Sequence, residues 1–192
     1  PKALDHDYAP DAVLAPFGVL EVEAGQSTII FGECRETSNF IVDSLERWYK
    51  IRKKEIQKYK EILINVDNGI PVSGSSTQFL KRMILFSQKI NKPIHLVYYP
   101  PYHSKYNPVE RFWGILENYW NGEILGSIEK TLMIAKATTW KKIHPLVDYF
   151  KAEYETGVKP TKEEMKEINK YIRRSKTLPK WDIYISPEKL TS

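Results

Sequence analysis

Two segments in the first half of the chain repeat apolar residues at helical spacing. The first segment, residues 37–59, is predicted to form a long amphipathic helix that Thr37 or Ser38 can cap. Its apolar face contains Phe40, Ile41, Leu45, Trp48 and Ile51. The second segment, residues 76–91, follows the same spacing and predicts a second helix, with Phe79, Leu80, Met83, Ile84 and Phe86 on its apolar face.

A third helix is predicted to start at Asn107, because asparagine is a good N-cap and Pro108 occupies the first helical position, where proline is tolerated. Its apolar positions, which predict core packing, are Val109, Phe112, Trp113, Leu116 and Trp120. Further helices are predicted over residues 127–139 and 161–174, and the second of these has a capping-box pattern at Thr161 and Glu164.

Shorter apolar runs between these helices predict strands. The stretch "GVLEVEAGQSTIIFGE" predicts a hairpin that turns at Ala24-Gly25. "EILINVDNG" is an apolar run that stops at Asp67, and "PIHLVYY" is another that stops at Pro100-Pro101. "KWDIYI" is a candidate last strand. Strands that alternate with helices after a hairpin predict the α/β class with a mixed sheet flanked by helices.

Composition narrows the class of protein. The chain carries 29 Lys plus Arg against 24 Asp plus Glu, and this net charge of +5 favours polyanionic partners such as DNA. A single cysteine, Cys34, excludes a disulfide framework and a cysteine-rich zinc site. No apolar run reaches membrane-spanning length and no signal peptide is visible, so we expect a soluble, cytoplasmic protein without a membrane partner.

Two carboxylates stand out by position. Asp67 follows a predicted buried strand, and Glu110 lies in the first turn of the helix that follows the next strand. Each has a plain structural alternative, since Asp-Asn-Gly is common turn chemistry and a glutamate three residues after an Asn cap can close a capping box. Together they predict one site at a sheet edge that could bind divalent cations, which prefer oxygen ligands.

The strings "LINVDNG", "TQFLKRM", "YYPPYHSKYNPVERFWGILENYWNG" and "LPKWDIYI" resemble the C-terminal part of bacterial insertion-sequence transposases of the DDE superfamily. These are relatives of mariner-like elements and have a ribonuclease H-like catalytic domain. "GECRETSNFIVDSLERWY" is also similar to that family, so the resemblance covers nearly the whole chain.

The resemblance implies that Asp67 and Glu110 are the second and third catalytic acids and bind Mg²⁺ or Mn²⁺, with two ions in the intact enzyme. It also implies that the first acid lies on a strand that precedes Pro1, so we expect the 192 residues alone to be inactive. We disfavour Asp5 or Asp7 as the first acid, because neither ends an apolar strand. The core would span residues 1–126, and 127–192 would be a helical C-terminal extension.

Implied partners are the element ends, target DNA and other transposase copies. The residues predicted to contact DNA are Arg47, Lys50, Arg52, Lys53 and Lys54 in a basic run, and His103, Lys105 and Tyr106 in the loop before Asn107. An alternative of a different class stays open: a catalytically inactive remnant that only binds DNA or another transposase copy.

Overall fold

The computed structural model describes residues 13–67, 69–100 and 106–190. In these ranges the strands are β1 (Leu14–Glu21), β2 (Gln26–Glu33), β3 (Ile62–Val66), β4 (Ile94–Tyr98), β5 (Leu146–Lys151), β6 (Ile172–Arg174) and β7 (Asp182–Ile185). The α-helices are α1 (Ser38–Ile51), α2 (Lys53–Ile56), α3 (Thr77–Ile90), α4 (Pro108–Trp120), α5 (Ile128–Ala137) and α6 (Lys162–Ile168). None of these helices is long and apolar enough to cross a lipid bilayer.

The chain folds into two compact units. One contains the chain up to Arg35 together with Phe112–Glu153, and the other contains Glu36–Arg111 together with the chain from Tyr154 onward. The division at residue 126 that the sequence suggested stays a prediction.

The first unit is built on a three-stranded sheet in the order β1-β2-β5. β1 and β2 form the predicted antiparallel hairpin, and Gly25 takes the positive φ of +67° that its turn requires. β5 adds parallel to β2, so the sheet is mixed. Buried residues of β2 pack with α4 and α5 in one apolar cluster: Ile29, Phe31, Phe112, Leu116 and Ala135.

The aromatic stripe of α4 packs as predicted in this unit. Phe112 is fully buried, and Trp113 and Trp120 are partly buried against the same cluster. Trp113 lies directly on the backbone of β1, since a Cβ atom at Gly18 would come within 2.4 Å of its ring. The glycine therefore allows the close approach of the indole.

The second unit contains a four-stranded sheet in the order β3-β4-β7-β6. β3 and β4 are parallel, whereas β7 runs antiparallel to both β4 and β6. Helix α1 has the predicted cap. The Thr37 hydroxyl accepts a hydrogen bond from Phe40 N at 3.2 Å at the start of the helix. α1 and α3 are joined by an ion pair between Asp43 and Arg82.

The α/β class with mixed sheets is confirmed, but the helical C-terminal extension is wrong in part. The region after residue 126 contains α5, α6 and the predicted last strand β7, and also β5 and β6, which were not predicted. The helix predicted over 161–174 begins with the expected capping box at Thr161 but ends at Ile168. Its last residues form β6, because Ile172 pairs with Ile185 of β7.

Candidate catalytic site

Asp67 lies at the carboxyl end of β3, as its position after the apolar run predicts. Val66 is in register with Tyr98 of the parallel strand β4, and Tyr99 N donates to Val66 O at 3.1 Å just before Asp67. Gly69 has extended backbone, with φ −64° and ψ 153°. The left-handed glycine of an ordinary Asp-Asn-Gly turn is therefore absent at Gly69.

Asn107 connects the end of β3 to the start of α4. Its side-chain Nδ2 donates to Asp67 Oδ1 at 3.4 Å, while its Oδ1 accepts from Val109 N at 3.3 Å and caps the helix. Asn107 is only 6% exposed, so both ends of its amide act in a nearly closed environment. The sequence pattern predicted the cap but missed the bond to Asp67.

Glu110 follows on the same helical turn. Its backbone N donates to Asn107 O at 3.1 Å, which places Glu110 one turn along from the residue that contacts Asp67. The structure therefore brings the two elements that carry the predicted acids to one place, with Asn107 as the contact between them.

The Asp67 carboxylate is oriented by a neutral amide. Among the residues that the structure describes, it forms no ion pair with a lysine or an arginine. Burial raises the pKa of the nearby Tyr99 phenol, and the charge of Asp67 raises this pKa further. Tyr99 is consequently a protonated phenol at neutral pH.

These residues have the chemistry of a site for a hard divalent cation. Mg²⁺ and Mn²⁺ prefer carboxylate oxygens, which are the side-chain groups of Asp67 and Glu110. The part of the chain that is described contains no group of three His, Cys, Asp or Glu side chains able to hold a metal ion.

The loop that follows Asp67 is held by three side chains from other elements. Tyr98 Oη donates to Val72 O at 2.8 Å, Ser38 Oγ donates to Pro71 O at 2.6 Å, and Arg174 Nη2 donates to Gly74 O at 3.0 Å. Burial raises the pKa of Tyr98, so its hydroxyl remains a donor. No local pattern could have identified these contacts, because each one joins residues far apart in the chain.

The basic residues predicted to contact DNA lie around the junction of α1 and α2. Lys50, Lys53 and Lys54 are exposed there, whereas Arg47 and Arg52 are partly buried. Arg52 Nη1 lies 3.4 Å from Glu55 Oε1 and is thus already paired.

Other predicted residues lie in or near the loop before Asn107. Tyr106 is 58% exposed. His103 and Lys105, as well as Asp5 and Asp7, lie outside the described residues.

Comparison with known families supports the resemblance drawn from the sequence motifs. A profile of the family described as the Rhodopirellula transposase DDE domain matches residues 1–187, nearly the full chain. Searches of curated proteins and of solved structures gave no significant match.

Proposed function

We propose, because this chain belongs to the Rhodopirellula transposase DDE domain family of insertion-sequence transposases, that Asp67 and Glu110 are two of its catalytic acids. The single observation that carries this proposal is the hydrogen bond from Asn107 to Asp67, which links the end of β3 to the helical turn of Glu110. The proposed substrate is DNA, at the ends of an insertion sequence and at its target.

The proposed reaction has two steps. Water hydrolyses a phosphodiester at the element end and leaves a 3′ hydroxyl. This hydroxyl then attacks a phosphodiester of the target, forms a new P–O bond and displaces the 3′ oxygen of the cut target strand, with no covalent protein intermediate. When bound, Mg²⁺ or Mn²⁺, with two ions expected, would stabilise charge on the attacking and leaving oxygens.

The residues of this chain have separate roles in that reaction. Asp67 and Glu110 would hold the cations, and Asn107 would keep the Asp67 carboxylate in one orientation. Tyr99 would stay a neutral donor beside Asp67. The exposed lysines of α1 and α2 would neutralise DNA phosphates and position the strand without reading its sequence.

The ribonuclease H-like arrangement, in which a further strand that carries the first acid pairs with β3, is part of the proposal. It is supported by β3, which has β4 as its only neighbour in the described part of the sheet. An edge strand has unpaired N–H and C=O groups that another strand can bind. A first acid on such a strand would complete the ligand set.

A second candidate function is DNA binding without catalysis. One observation favours it for this chain taken alone: the described residues contain no cluster of three metal ligands. Such a remnant would still bind DNA through its basic surface, but it would not need Asp67.

Cation binding by the chain itself distinguishes these candidates. Titration with Mn²⁺, followed by electron paramagnetic resonance, should show a site in the wild type that Asp67→Asn removes. Glu33→Gln, which changes another acid at a strand end, should leave it intact. Equal Mn²⁺ binding by the wild type and Asp67→Asn would contradict the assignment of Asp67.

A further inference from the structure

A surface depression of about 480 Å³ lies in the same unit as Asp67. Its lining combines an indole, an exposed aliphatic side chain, a lysine, two hydroxyls and a glycine: Trp181, Ile70, Lys180, Ser73, Ser75 and Gly74. The volume is within the range of small-ligand sites, roughly 300 to 1,000 Å³. The proposed catalytic chemistry assigns no role to this depression.

The depression lies at the end of the sheet where β3 and β4 terminate and Asp67 is found. β3 and β4 end at this edge, and the antiparallel strand β7 begins there, because Tyr98 N donates to Trp181 O at 2.8 Å. β4 separates β3 from β7 in the sheet. With about 4.8 Å between neighbouring strands, the Trp181 backbone is roughly 10 Å from the end of β3.

The opposite rim is also close to Asp67. Ile70 follows Asp67 by three residues, which limits their separation to about 11 Å of extended chain. Ile70 is 92% exposed, an unusual state for a large aliphatic side chain beside a half-buried indole. The two residues form an apolar surface that is open to solvent.

The two rims are held together by Arg174. Its Nη1 donates to Pro179 O at 2.7 Å and its Nη2 donates to Gly74 O at 3.0 Å. A Cβ at Gly74 would be 2.3 Å from Lys180 O, so the two loops are in direct contact. The two loops that line the depression are therefore fixed to each other.

The local charge is positive. The Arg174 guanidinium and the Lys180 ammonium form no ion pair with a carboxylate in the described ranges. Burial lowers the pKa of Arg174, but an arginine remains charged at neutral pH. An anion with a flat apolar group attached is the ligand that complements this combination.

We infer that this depression binds an unpaired nucleotide of the DNA strand on which the proposed catalytic site acts. This inference rests on the proposed function. The base would lie against Trp181 and Ile70, and the phosphate would lie near Lys180. A separation of roughly 10 Å corresponds to about three steps of stacked strand at 3.4 Å each, so the nucleotide is a near neighbour of the reacting phosphate.

The test compares three fluorescent DNAs by anisotropy without divalent cations: a duplex, the same duplex with a three-nucleotide unpaired extension, and that extension without its bases. The wild type should bind the extension with bases more tightly than either other DNA. Trp181→Ala should reduce this preference by about 5- to 150-fold, the range for loss of one base stack, and Trp181→Phe should keep most of it. Leu178→Ala, an exposed change in the same turn, is the matched control.

The phosphate contact has its own readout. Lys180→Gln should lower the slope of log affinity against log salt for the extended DNA by about 0.7, the value for one phosphate contact to a single strand. Equal binding of the extensions with and without bases would overturn the inference, as would an unchanged preference in Trp181→Ala. If Trp181→Ala does not fold, as judged by circular dichroism, two measurements still test the inference: wild-type binding to the extensions with and without bases, and the preference of Trp181→Phe.

Asp67→Asn separates this inference from the proposed function. The preference for the unpaired nucleotide should persist in Asp67→Asn, since no cation is present. A preserved preference without any Asp67-dependent Mn²⁺ binding supports the nucleotide site and contradicts the assignment of Asp67. Asp67-dependent Mn²⁺ binding with no preference in the wild type does the reverse.

Discussion

Two acids of this molecule lie at the carboxyl ends of β-strands, but their side chains have different hydrogen-bond partners. Glu33 ends β2 and is bound by two side chains: Lys151 Nζ donates to Oε1, and Tyr149 Oη donates to Oε2 at 2.6 Å. Asp67 follows β3 and accepts a 3.4 Å hydrogen bond from the neutral amide of Asn107. One carboxylate is neutralised by the protein, and the other is only oriented by it.

The two acids therefore differ in how their charge is compensated. Glu33 is paired with lysine and hydrogen-bonded to tyrosine, and the hydrogen bond from Lys151 lowers the pKa of Glu33. Asp67 has a neutral amide as its described partner, so no cationic side chain of the described residues compensates it. Position at a strand end does not distinguish the two acids, but their partners do.

The largest expected effect is on DNA cleavage. In protein that is competent for Mg²⁺-dependent nicking of DNA that carries element ends, Asp67→Asn should reduce the nicking rate on the order of 10³-fold, because a cation ligand is worth several kcal/mol in the transition state. Glu110→Gln should have a similar effect. The measurement is the initial nicking rate on a gel.

Glu33→Gln is the matched control for this loss. It should leave the nicking rate within about twofold of the wild type at neutral pH, because Glu33 is already satisfied within its own sheet. A nicking rate that falls as far in Glu33→Gln as in Asp67→Asn would remove the distinction between the two acids.

Asn107 provides the next effect in size. Asn107→Ala removes both the bond to Asp67 and the N-cap of α4, so it should lower activity about 10- to 100-fold, as is typical for residues that orient metal ligands. It should also lower the free energy of unfolding by about 0.5 to 2 kcal/mol.

Asn107→Ser separates the two roles. A serine hydroxyl can still cap the helix, but its shorter side chain has no amide to donate to Asp67. The urea midpoint should therefore stay close to that of the wild type while Mn²⁺ affinity and nicking fall. Wild-type Mn²⁺ affinity in Asn107→Ser would show that Asn107 acts only as a cap.

The elements that could be predicted from the sequence are those defined by local periodicity. α1, α3, α4 and the hairpin follow from apolar spacing and capping residues within each segment. β5 and β6 could not be found this way, because they exist through pairing with β2 and β7. A short strand at the edge of a sheet depends on its neighbour and carries little pattern of its own.

The residues of the candidate site also fall into two groups: those that a local sequence pattern identifies and those that only the folded structure shows. Asp67 and Glu110 stand out because one ends an apolar run and the other follows an Asn-Pro helix start. The second role of Asn107 was invisible, since capping α4 fully accounts for an asparagine at that position. The contacts that hold the loop after Asp67, such as those of Arg174, could be identified only from the three-dimensional structure, because each joins residues far apart in the chain.

A smaller effect concerns stability and pH. Because the folded pKa of Glu33 is lowered, its contribution is present above the ordinary glutamate value of 4.5 and is lost as the pH falls through the lowered pKa. Glu33→Gln should therefore lower the urea midpoint at neutral pH, and the difference from the wild type should shrink in more acidic solution.

Lys151→Gln should produce the same shrinking difference, since the hydrogen bond from Lys151 is the main cause of the lowered pKa. The measurement is the urea midpoint from about pH 6 to about pH 3. A constant gap between the wild type and Glu33→Gln over this range would contradict the assigned role of the ion pair.

The contrast between satisfied and available charges extends to the basic residues near the end of α1. Lys53 and Lys54 are exposed and form no ion pair with another described residue, whereas Arg52 lies 3.4 Å from Glu55. An unpaired lysine can release a counterion when it contacts a phosphate, and a paired arginine must first give up its partner.

Replacing both lysines with glutamine should lower the slope of log affinity against log salt for duplex DNA by about 1.8, twice the value of 0.9 for one contact. Arg52→Gln should change the slope by less than either single lysine replacement. Anisotropy titrations from about 50 to 200 mM salt measure these slopes. A larger change in Arg52→Gln than in Lys53→Gln would show that its pairing with Glu55 gives way to DNA, and the comparison drawn for the two acids would not extend to these cations.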